Sequence, residues 1–227
     1  LVYRDPVNLE FSTQDSDQHE AWLIKFPAQQ EHPEVCAIEA VYAECLRLCA
    51  IETPDTHFFN LPNGLTAFAS KRFDRQNGMR IPMQSLAAYT GADYKVPGSL
   101  DYRNFLRATL MCTQDVRERL HAFKRAVFNV LFNNRDDHTK NFSFLMEKNG
   151  QWKLAPAYDV TFCEGPGGYH QMDIMGEALN ISRNDIHKLG TSEANLTTLE
   201  VDEIILTMRE IALQFSQIAQ RLYPHQI

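Results

Sequence analysis

The hydrophobic pattern of the chain changes near residue 75, and this change restricts the fold more than any other feature. Before it, residues 21–26, 57–61 and 65–73 form short apolar runs that are typical of strands. Pro62-Asn63-Gly64 separates the last two runs, and its Asn-Gly pair predicts a tight hairpin. Residues 33–50 carry a helical stripe of apolar side chains. Residues 1–75 are therefore predicted to form a small β-rich lobe with one helix.

The remaining residues, 76–227, follow mostly helical patterns. Two helices are predicted within residues 101–132, and a hairpin is predicted for residues 142–146 and 151–154. The last 25 residues predict one closing helix. The sequence therefore predicts an α+β fold with a mostly helical lobe after the β-rich one. A small ligand is expected in the cleft between two such unlike lobes.

Composition argues against several classes of protein. The net charge is −7 and the pI is near 5.6. A protein that binds nucleic acid directly carries a basic surface, so direct binding is not expected. Five cysteines without a C-x-x-C spacing predict neither a disulfide framework nor a zinc site. No apolar run approaches the roughly 20 residues that span a bilayer, and no signal peptide is recognised. A cytoplasmic protein without a membrane partner is expected.

The most informative segment is the polar run of residues 134–143, between a predicted helix and a predicted hairpin. Its charged and polar groups would be costly in a core, so it is expected to line a solvated surface or a site. Arg135-Asp136 precedes Asn141 at the interval of the kinase catalytic loop. In that loop the aspartate accepts the hydroxyl proton of the substrate and the asparagine holds magnesium. The spacing alone is common, so further residues are needed.

A second carboxylate, Asp159, follows Asn141 by 18 residues in the phrase Ala155-Pro-Ala-Tyr-Asp159. Mg²⁺ prefers carboxylate and amide oxygens together with phosphates and water. Asp159 and Asn141 are therefore candidate magnesium ligands. The alternative is that Asp159 serves only as a turn or helix-capping residue.

A third component is Lys25, the single charged residue of the apolar run 21–26. The helical stripe that follows carries Glu34, Glu39 and Glu44. Kinases place a strand lysine on the nucleotide phosphates and hold it with a helix glutamate. A strand lysine alone more commonly extends its amine from a sheet edge into solvent. The order of lysine, glutamate, Asp/Asn loop and later aspartate predicts a phosphoryl-transfer site.

These residues occur in phrases that resemble the HipA family of bacterial serine/threonine kinases, the toxins of HipBA and HipBST toxin–antitoxin modules. The phrases are Leu-Ile-Lys25-Phe-Pro, Lys71-Arg-Phe-Asp-Arg75, Asp136-Asp-His-Thr-Lys-Asn-Phe-Ser143 and Pro156-Ala-Tyr-Asp159. They stand in the family's order between about residues 25 and 180. The third phrase is the most specific of the four.

The resemblance implies a two-lobed protein-kinase-like fold and phosphate transfer from ATP, with Mg²⁺, to a serine or threonine. It divides the chain into an N-lobe of residues 1–75 and a C-lobe of residues 76–227. It implies that Asp136 is the catalytic base, that His138 is a second residue of the catalytic phrase, and that Asn141 and Asp159 hold the metal. The nucleotide-binding residues that it implies are Lys25, Glu39, Lys71, Arg72, Phe73, His138, Asn141 and Asp159.

The resemblance also implies partners. A HipB-like antitoxin is expected, with DNA bound only through it, and a HipS-like subunit is a further candidate. Because some family members modify aminoacyl-tRNA synthetases, such a synthetase is the first expectation for the protein whose phosphorylation would inhibit growth.

The chain departs from the family pattern in two places. Residues 1–24 contain no glycine, although the family's Gly-rich phosphate-covering loop precedes the lysine strand. Either the chain is a fragment or processed form that begins after that loop, or the loop is missing from this part of the protein. In both cases residues 1–227 alone are expected to bind ATP weakly and to transfer phosphate slowly. In addition, Pro82-Met-Gln-Ser85 stands where many members carry an acidic pair.

Parts of the sequence are also compatible with two other functions. Asp136, Asp137 and His138 would also suit a metallohydrolase, but the other histidines lack a ligand-like spacing. A non-catalytic binding module with a kinase fold is the stronger alternative, since a chain without its phosphate-covering loop could bind a partner without turnover.

Overall fold

The computed structural model describes residues 1–15, 18–29 and 31–224, and its first sheet has five antiparallel strands. These are β1 (Val2–Arg4), β2 (Phe11–Ser12), β3 (Glu20–Lys25), β4 (Thr56–Asn60) and β5 (Thr66–Lys71), in the order β2-β1-β3-β5-β4. The three predicted strands are confirmed as β3, β4 and β5. β3 lies at the centre of the sheet, and Lys25 at its end stands opposite Phe68 of β5.

The sequence patterns did not predict β1 and β2. With three and two residues, these strands are too short for an alternating pattern to show. Aromatic packing holds them in place: the Phe11 ring lies edge-on to Trp22 at 5.4 Å and to Phe59 at 4.9 Å. An antiparallel hairpin therefore precedes the lysine strand.

The hairpin of β4 and β5 forms as predicted, but its turn differs. The sequence predicts a two-residue Asn-Gly turn, whereas a short 3-10 turn, Pro62–Gly64, joins the strands in the structure. Leu61 N–H donates to the Leu65 carbonyl at 2.8 Å and closes the longer loop. Proline at the start of the turn fixes the φ that a 3-10 turn needs, and this favours the longer connection.

Helix α1 (Val35–Leu48) crosses one face of this sheet, as the apolar stripe predicted. Its small buried residues Cys36, Ala40 and Ala43 pack against Phe68. Its other buried face, with Val41 and Cys45, joins the main core. Small side chains allow the helix axis to approach the strands closely, so residues of α1 can reach residues of β3.

The rest of the chain is mostly helical. The helices are α2 (Leu86–Thr90), α3 (Tyr102–Thr113), α4 (Val116–Leu131), α5 (Arg183–Glu193), α6 (Thr198–Leu213) and α7 (Phe215–Leu222). The two helices predicted within residues 101–132 are confirmed as α3 and α4. Each begins at an aspartate, Asp101 or Asp115, whose side chain accepts a backbone N–H of the first turn. None of the helices in the described ranges is long and apolar enough to cross a membrane.

The prediction of one closing helix is wrong. Helix α6 ends at Leu213, Gln214 adopts φ −91° and ψ 3°, and α7 begins at Phe215. The apolar stripe continues across the break through Ile211, Phe215 and Ile218. Because the spacing of the stripe is not interrupted, the sequence pattern does not reveal the break.

Three short strands form a second sheet between these helices. A small hairpin of β6 (Arg75–Gln76) and β7 (Met79–Arg80) comes first, and the sheet then consists of β8 (Met83–Ser85), β9 (Ser143–Met146) and β10 (Trp152–Leu154), in the order β10-β9-β8. The predicted hairpin is confirmed as β9 and β10. The segment that departs from the family pattern supplies β8, with Met83 opposite Leu145.

Candidate active site

A cavity of about 370 Å³ lies between the first sheet, helix α1 and residues 157–160. This volume falls within the usual range of small-ligand sites. The cavity is lined by six of the predicted nucleotide-binding residues: Lys25, Glu39, Lys71, Arg72, Phe73 and Asp159. The other predicted residues, Asp136, His138 and Asn141, are outside its lining.

Lys25 lies between two carboxylates in this cavity. Its Nζ donates to Glu39 Oε1 at 2.7 Å and also contacts Asp159 Oδ1. Glu39 of α1 therefore pairs with Lys25 of β3. Burial of Lys25 disfavours its charge, but attraction by Glu39 and Asp159 outweighs burial, and the pKa of Lys25 lies above its ordinary value.

Three contacts hold the segment that carries Asp159. Tyr158 Oη donates to the Lys140 carbonyl at 2.6 Å and shares a hydrogen bond of 2.6 Å with Ser143 Oγ. Beneath them, the buried guanidinium of Arg125 donates to the Ala155 carbonyl. Burial lowers the pKa of Arg125 to about 10, against the attraction of nearby carboxylates. The two Tyr158 contacts tie the segment to the polar loop of residues 134–143, and the Arg125 contact ties it to α4.

Asp159 itself has an unusual backbone. Its φ is 56°, in the left-handed region that residues other than glycine rarely adopt, and its side chain is 50% exposed. Backbone conformations of this kind are concentrated at functional sites, where surrounding contacts maintain them. The conformation presents the Asp159 carboxylate to the cavity beside Lys25.

The polar loop positions Asp136 and Asn141 through its own backbone. Asn141 Nδ2 donates to the Asp136 carbonyl at 2.8 Å, so the amide oxygen of Asn141 is the atom available to a cation. The Asp136 side chain is 47% exposed. His138 Nε2 lies 3.7 Å from Asp136 Oδ1, beyond hydrogen-bonding distance, and its ring packs against Tyr94.

Part of the polar loop is buried, whereas the sequence predicts that this loop lines a solvated surface or a site. Asp137 is fully buried, and its Oδ2 accepts from Tyr102 Oη at 2.7 Å and pairs with His170 Nδ1 at 2.8 Å. Its Oδ1 accepts from the Gln171 backbone N–H at 2.7 Å. Because both carboxylate oxygens have hydrogen-bond partners, the carboxylate can lie in the core. Asp137 therefore anchors the loop instead of lining a surface.

Gln171 makes a further contact that sequence reasoning missed. Its Nε2 donates to Asp136 Oδ1 at 2.8 Å. His170 and Gln171 follow the glycine-rich stretch 165–168 but show no spacing that connects them to residues 136 and 137. No signal in a single sequence would have identified them.

The predicted segment Lys71–Phe73 lines the cavity, and its two charged side chains form ion pairs with nearby carboxylates. Lys71 contacts Glu20 and lies 3.7 Å from Asp55, while Arg72 Nε donates to Asp74 at 2.6 Å. The Phe73 ring packs 5.5 Å from that of Tyr158. These contacts connect the end of β5 to the Asp159 segment.

Within the described residues, no group of three or more His, Cys, Asp or Glu side chains could hold a metal ion. The candidate ligands Asn141 and Asp159 are an amide and a carboxylate from two tethered segments. Hard oxygen donors of this number suit Mg²⁺ that is also bound by phosphates and water. The oxygen donors of Asn141 and Asp159 are therefore of the chemical type that Mg²⁺ prefers.

Comparison with known proteins gives a matching family. Residues 4–218 match the family model of the HipA-like C-terminal domain. A Haemophilus influenzae protein named "Putative kinase" is 25% identical over 167 residues, which cover 64% of this chain and 46% of that protein. The chain thus spans about half the length of this relative.

Two solved structures share the fold. HipA, in the Shewanella oneidensis MR-1 complex of HipA, HipB and operator DNA, superposes with a TM-score of 0.77 at 17% identity, over 100% of this chain and 56% of HipA. The Helicobacter pylori proinflammatory kinase CtkA gives 0.53 at 16% identity, over 89% of this chain and 90% of CtkA. The expected kinase-like α+β fold is confirmed. Since the family model covers nearly all of its length, the chain belongs to the HipA-like C-terminal domain family.

Proposed function

We propose that this chain is the ATP- and Mg²⁺-dependent kinase core of a HipA-like toxin and phosphorylates a serine or threonine of a target protein. The observation that carries the proposal is the position of Lys25, held by Glu39 and Asp159 in a cavity of about 370 Å³. A cation fixed between two carboxylates in such a cavity suits the binding of nucleotide phosphates. Family membership and the kinase fold support the same function.

The proposed roles follow from the contacts. Lys25 would bind the nucleotide phosphates, and Glu39 would hold its amine in place. Lys71, Arg72 and Phe73 would lie beside the adenine, at the end of the cavity that they line. Asn141 and Asp159 would hold Mg²⁺, which neutralises phosphate charge when it is bound. This division assigns nucleotide binding mainly to residues 1–75 and the reacting groups to residues 76–227.

Asp136 would act as the general base. Its carboxylate is half exposed, and Gln171 holds Oδ1, so Oδ2 can face a substrate hydroxyl. Proton removal makes the hydroxyl oxygen a nucleophile for the terminal phosphate. His138 lies beside the base, where it would contact substrate or nucleotide.

The proposal includes partners of the whole protein. HipA of Shewanella oneidensis was solved with HipB and operator DNA. We propose a HipB-like antitoxin as partner of this protein, with DNA bound through the antitoxin because the chain carries a net charge of −7. A HipS-like subunit and an aminoacyl-tRNA synthetase target rest on family resemblance alone.

The test is the variant Asp136→Asn in the full gene product. We expect phosphate transfer to fall by about 10³-fold or more, with the ATP dissociation constant within about twofold of the wild type, because a base acts on the hydroxyl and not on the nucleotide. Transfer from radiolabelled ATP and calorimetric ATP binding measure the two effects. Glu210→Gln, a charge removal on the exposed side of α6, serves as the control.

Two outcomes would contradict the proposal. Near-normal transfer by Asp136→Asn would remove Asp136 as the base. ATP binding without any transfer by the wild-type protein, tested against serine- and threonine-containing proteins of a cell extract, would favour the non-catalytic binding module.

A further inference from the structure

We propose that Gln171 is a positioning residue for Asp136, an inference that rests on the function proposed above. Its side-chain Nε2 donates to Asp136 Oδ1 at 2.8 Å. Among the residues described, it is the only side chain within hydrogen-bonding distance of that carboxylate, since His138 Nε2 lies 3.7 Å away. The orientation of the proposed base therefore depends on one amide.

The backbone of Gln171 is fixed at both of its polar groups. Its N–H donates to Asp137 Oδ1 at 2.7 Å, and its carbonyl accepts from the Gly98 N–H at 2.8 Å. Asp137 is fully buried and is held in addition by Tyr102 and His170. One residue thus joins the polar loop, the loop before α3 and the segment after residue 165. Because the Gln171 backbone is held in place, only the side-chain torsions of Gln171 have to be set for its amide to reach Asp136.

The chemistry of an amide suits this task. The NH₂ group of glutamine donates hydrogen bonds but exchanges no proton with a carboxylate near neutral pH. It can hold one oxygen of Asp136 while the other oxygen stays free to accept the substrate proton. A histidine or lysine in the same place would add a charge and compete for that proton. We therefore expect Gln171 to affect the orientation of the base and not the binding of ATP.

The contact can be measured without any enzyme activity. In ¹⁵N-labelled full gene product, the side-chain NH₂ signals of Gln171 are assigned by their loss in Gln171→Met. We expect these signals to be shifted from free-amide positions and to move to them in Asp136→Ala. Free-amide positions in the wild type, unchanged in Asp136→Ala, would overturn the inference whatever the outcome for the kinase function.

The kinetic test uses two variants of similar side-chain length. Gln171→Met removes the donor, and we expect kcat to fall on the order of 10²-fold with little change in the KM for ATP, because small displacements of a catalytic group cost that much. Gln171→Glu places a carboxylate against Asp136, and we expect a larger loss at about pH 8. Its activity relative to wild type should recover toward about pH 5.5, since a protonated carboxyl can again donate.

A purely structural role predicts a different result. If Gln171 only fills space, Gln171→Met keeps the wild-type kcat, and this outcome would overturn the inference. A loss in Gln171→Glu with no recovery at lower pH would also count against it. Gln217→Glu, the same substitution on the exposed side of α7, controls for the added charge. If the wild type transfers no phosphate at all, the proposed function fails, and the amide signals alone decide whether the contact exists.

Discussion

At the scale of single residues, the charge of Lys25 is the central quantity of the candidate site. Two carboxylates, Glu39 and Asp159, raise its pKa above the ordinary value. The stabilisation from these pairs is therefore complete below the ordinary lysine pKa of about 10.4 and is lost only as the pH rises through the higher folded value. We expect the contribution of Lys25 to ATP binding to be constant between about pH 6 and about pH 9.

Glu39→Gln tests the pairing directly. Glu39 is mostly buried and binds Lys25 at 2.7 Å, whereas the amine itself is partly exposed. Removing the charge should leave Lys25 turned toward Asp159 and weaken ATP binding about tenfold, which corresponds to about 1.4 kcal/mol. Calorimetric titration with ATP and Mg²⁺ provides the measurement. Glu44→Gln, on the same helix and paired with Arg47 at 3.4 Å, should leave the affinity unchanged. An equal loss of ATP affinity in both variants would show that the overall charge of α1, and not the ion pair of Glu39 with Lys25, determines the affinity.

Site residues that belong to a recognisable sequence spacing can be predicted, whereas the role of a residue that depends on contacts distant in sequence cannot. Lys25, Glu39 and Asp159 were named from the order of residue types along the chain, and the fold brings these three together. The anchor Asp137 escaped prediction because its partners lie 33 to 35 residues away in both directions. A buried carboxylate and an exposed one look identical in a single sequence. Only the three-dimensional arrangement of their donors separates Asp137 from Asp136.

At the scale of elements, long regular patterns were predictable and short strands were not. Helix α1 follows an apolar stripe over 14 residues, and its position was predicted closely. Strands β1 and β2 are defined by cross-strand packing of Phe11 and Trp22, which has no sequence period. The break at Gln214 is hidden because the apolar stripe runs through it. Elements that tertiary contacts create were therefore missed.

Asp74 joins two elements and gives a prediction at this scale. It lies just after β5, accepts from Arg72 and Arg75, and its carbonyl accepts from the Ile81 N–H beyond the β6–β7 hairpin. Burial opposes the charge of Asp74, but hydrogen bonding by Arg72 and the charges of Arg72 and Arg75 outweigh it. The pKa of Asp74 consequently lies below the ordinary value. The stabilisation from Asp74 is thus present above about pH 3.9 and is lost as the pH falls through the lower folded value.

We expect Asp74→Asn to reduce the free energy of unfolding by about 2 kcal/mol at pH 7. This is less than a fully buried pair would lose, because both arginines are partly exposed. The difference from wild type should stay constant down to about pH 4 and narrow below it. Urea denaturation across this range measures the difference, with Asp93→Asn, in an exposed turn, as the control. If the difference in unfolding free energy between wild type and Asp74→Asn grows as the pH falls, the pKa of Asp74 is not lowered by folding.

At the scale of the whole molecule, ligand binding should stabilise the fold. ATP with Mg²⁺ at about 100 times its dissociation constant contributes about 2.7 kcal/mol, which raises the melting temperature by about 5–10 °C for a chain of this size. ATP with EDTA should give a much smaller shift if Asn141 and Asp159 hold the metal. Thermal unfolding of the full gene product measures both shifts.

Asp159→Asn should abolish most of the difference between Mg²⁺ and EDTA. Asparagine tolerates the left-handed backbone of residue 159 better than alanine, so this variant removes the charge with little strain. Asp93→Asn should retain the full Mg²⁺ effect. An unchanged Mg²⁺ effect in Asp159→Asn would place the metal elsewhere.

The contacts of the buried Asp137 also determine at what stage of protein synthesis the candidate site can form. A ribosome-bound chain that ends at residue 159 already contains Lys25, Glu39, Asp136, Asn141 and Asp159. It still lacks His170 and Gln171, which supply two of the contacts to Asp137 and the donor to Asp136. During synthesis, therefore, the proposed base precedes the donor that orients it by 35 residues. The chain can acquire its oriented base only after residue 171 has left the ribosome and folded back onto the loop.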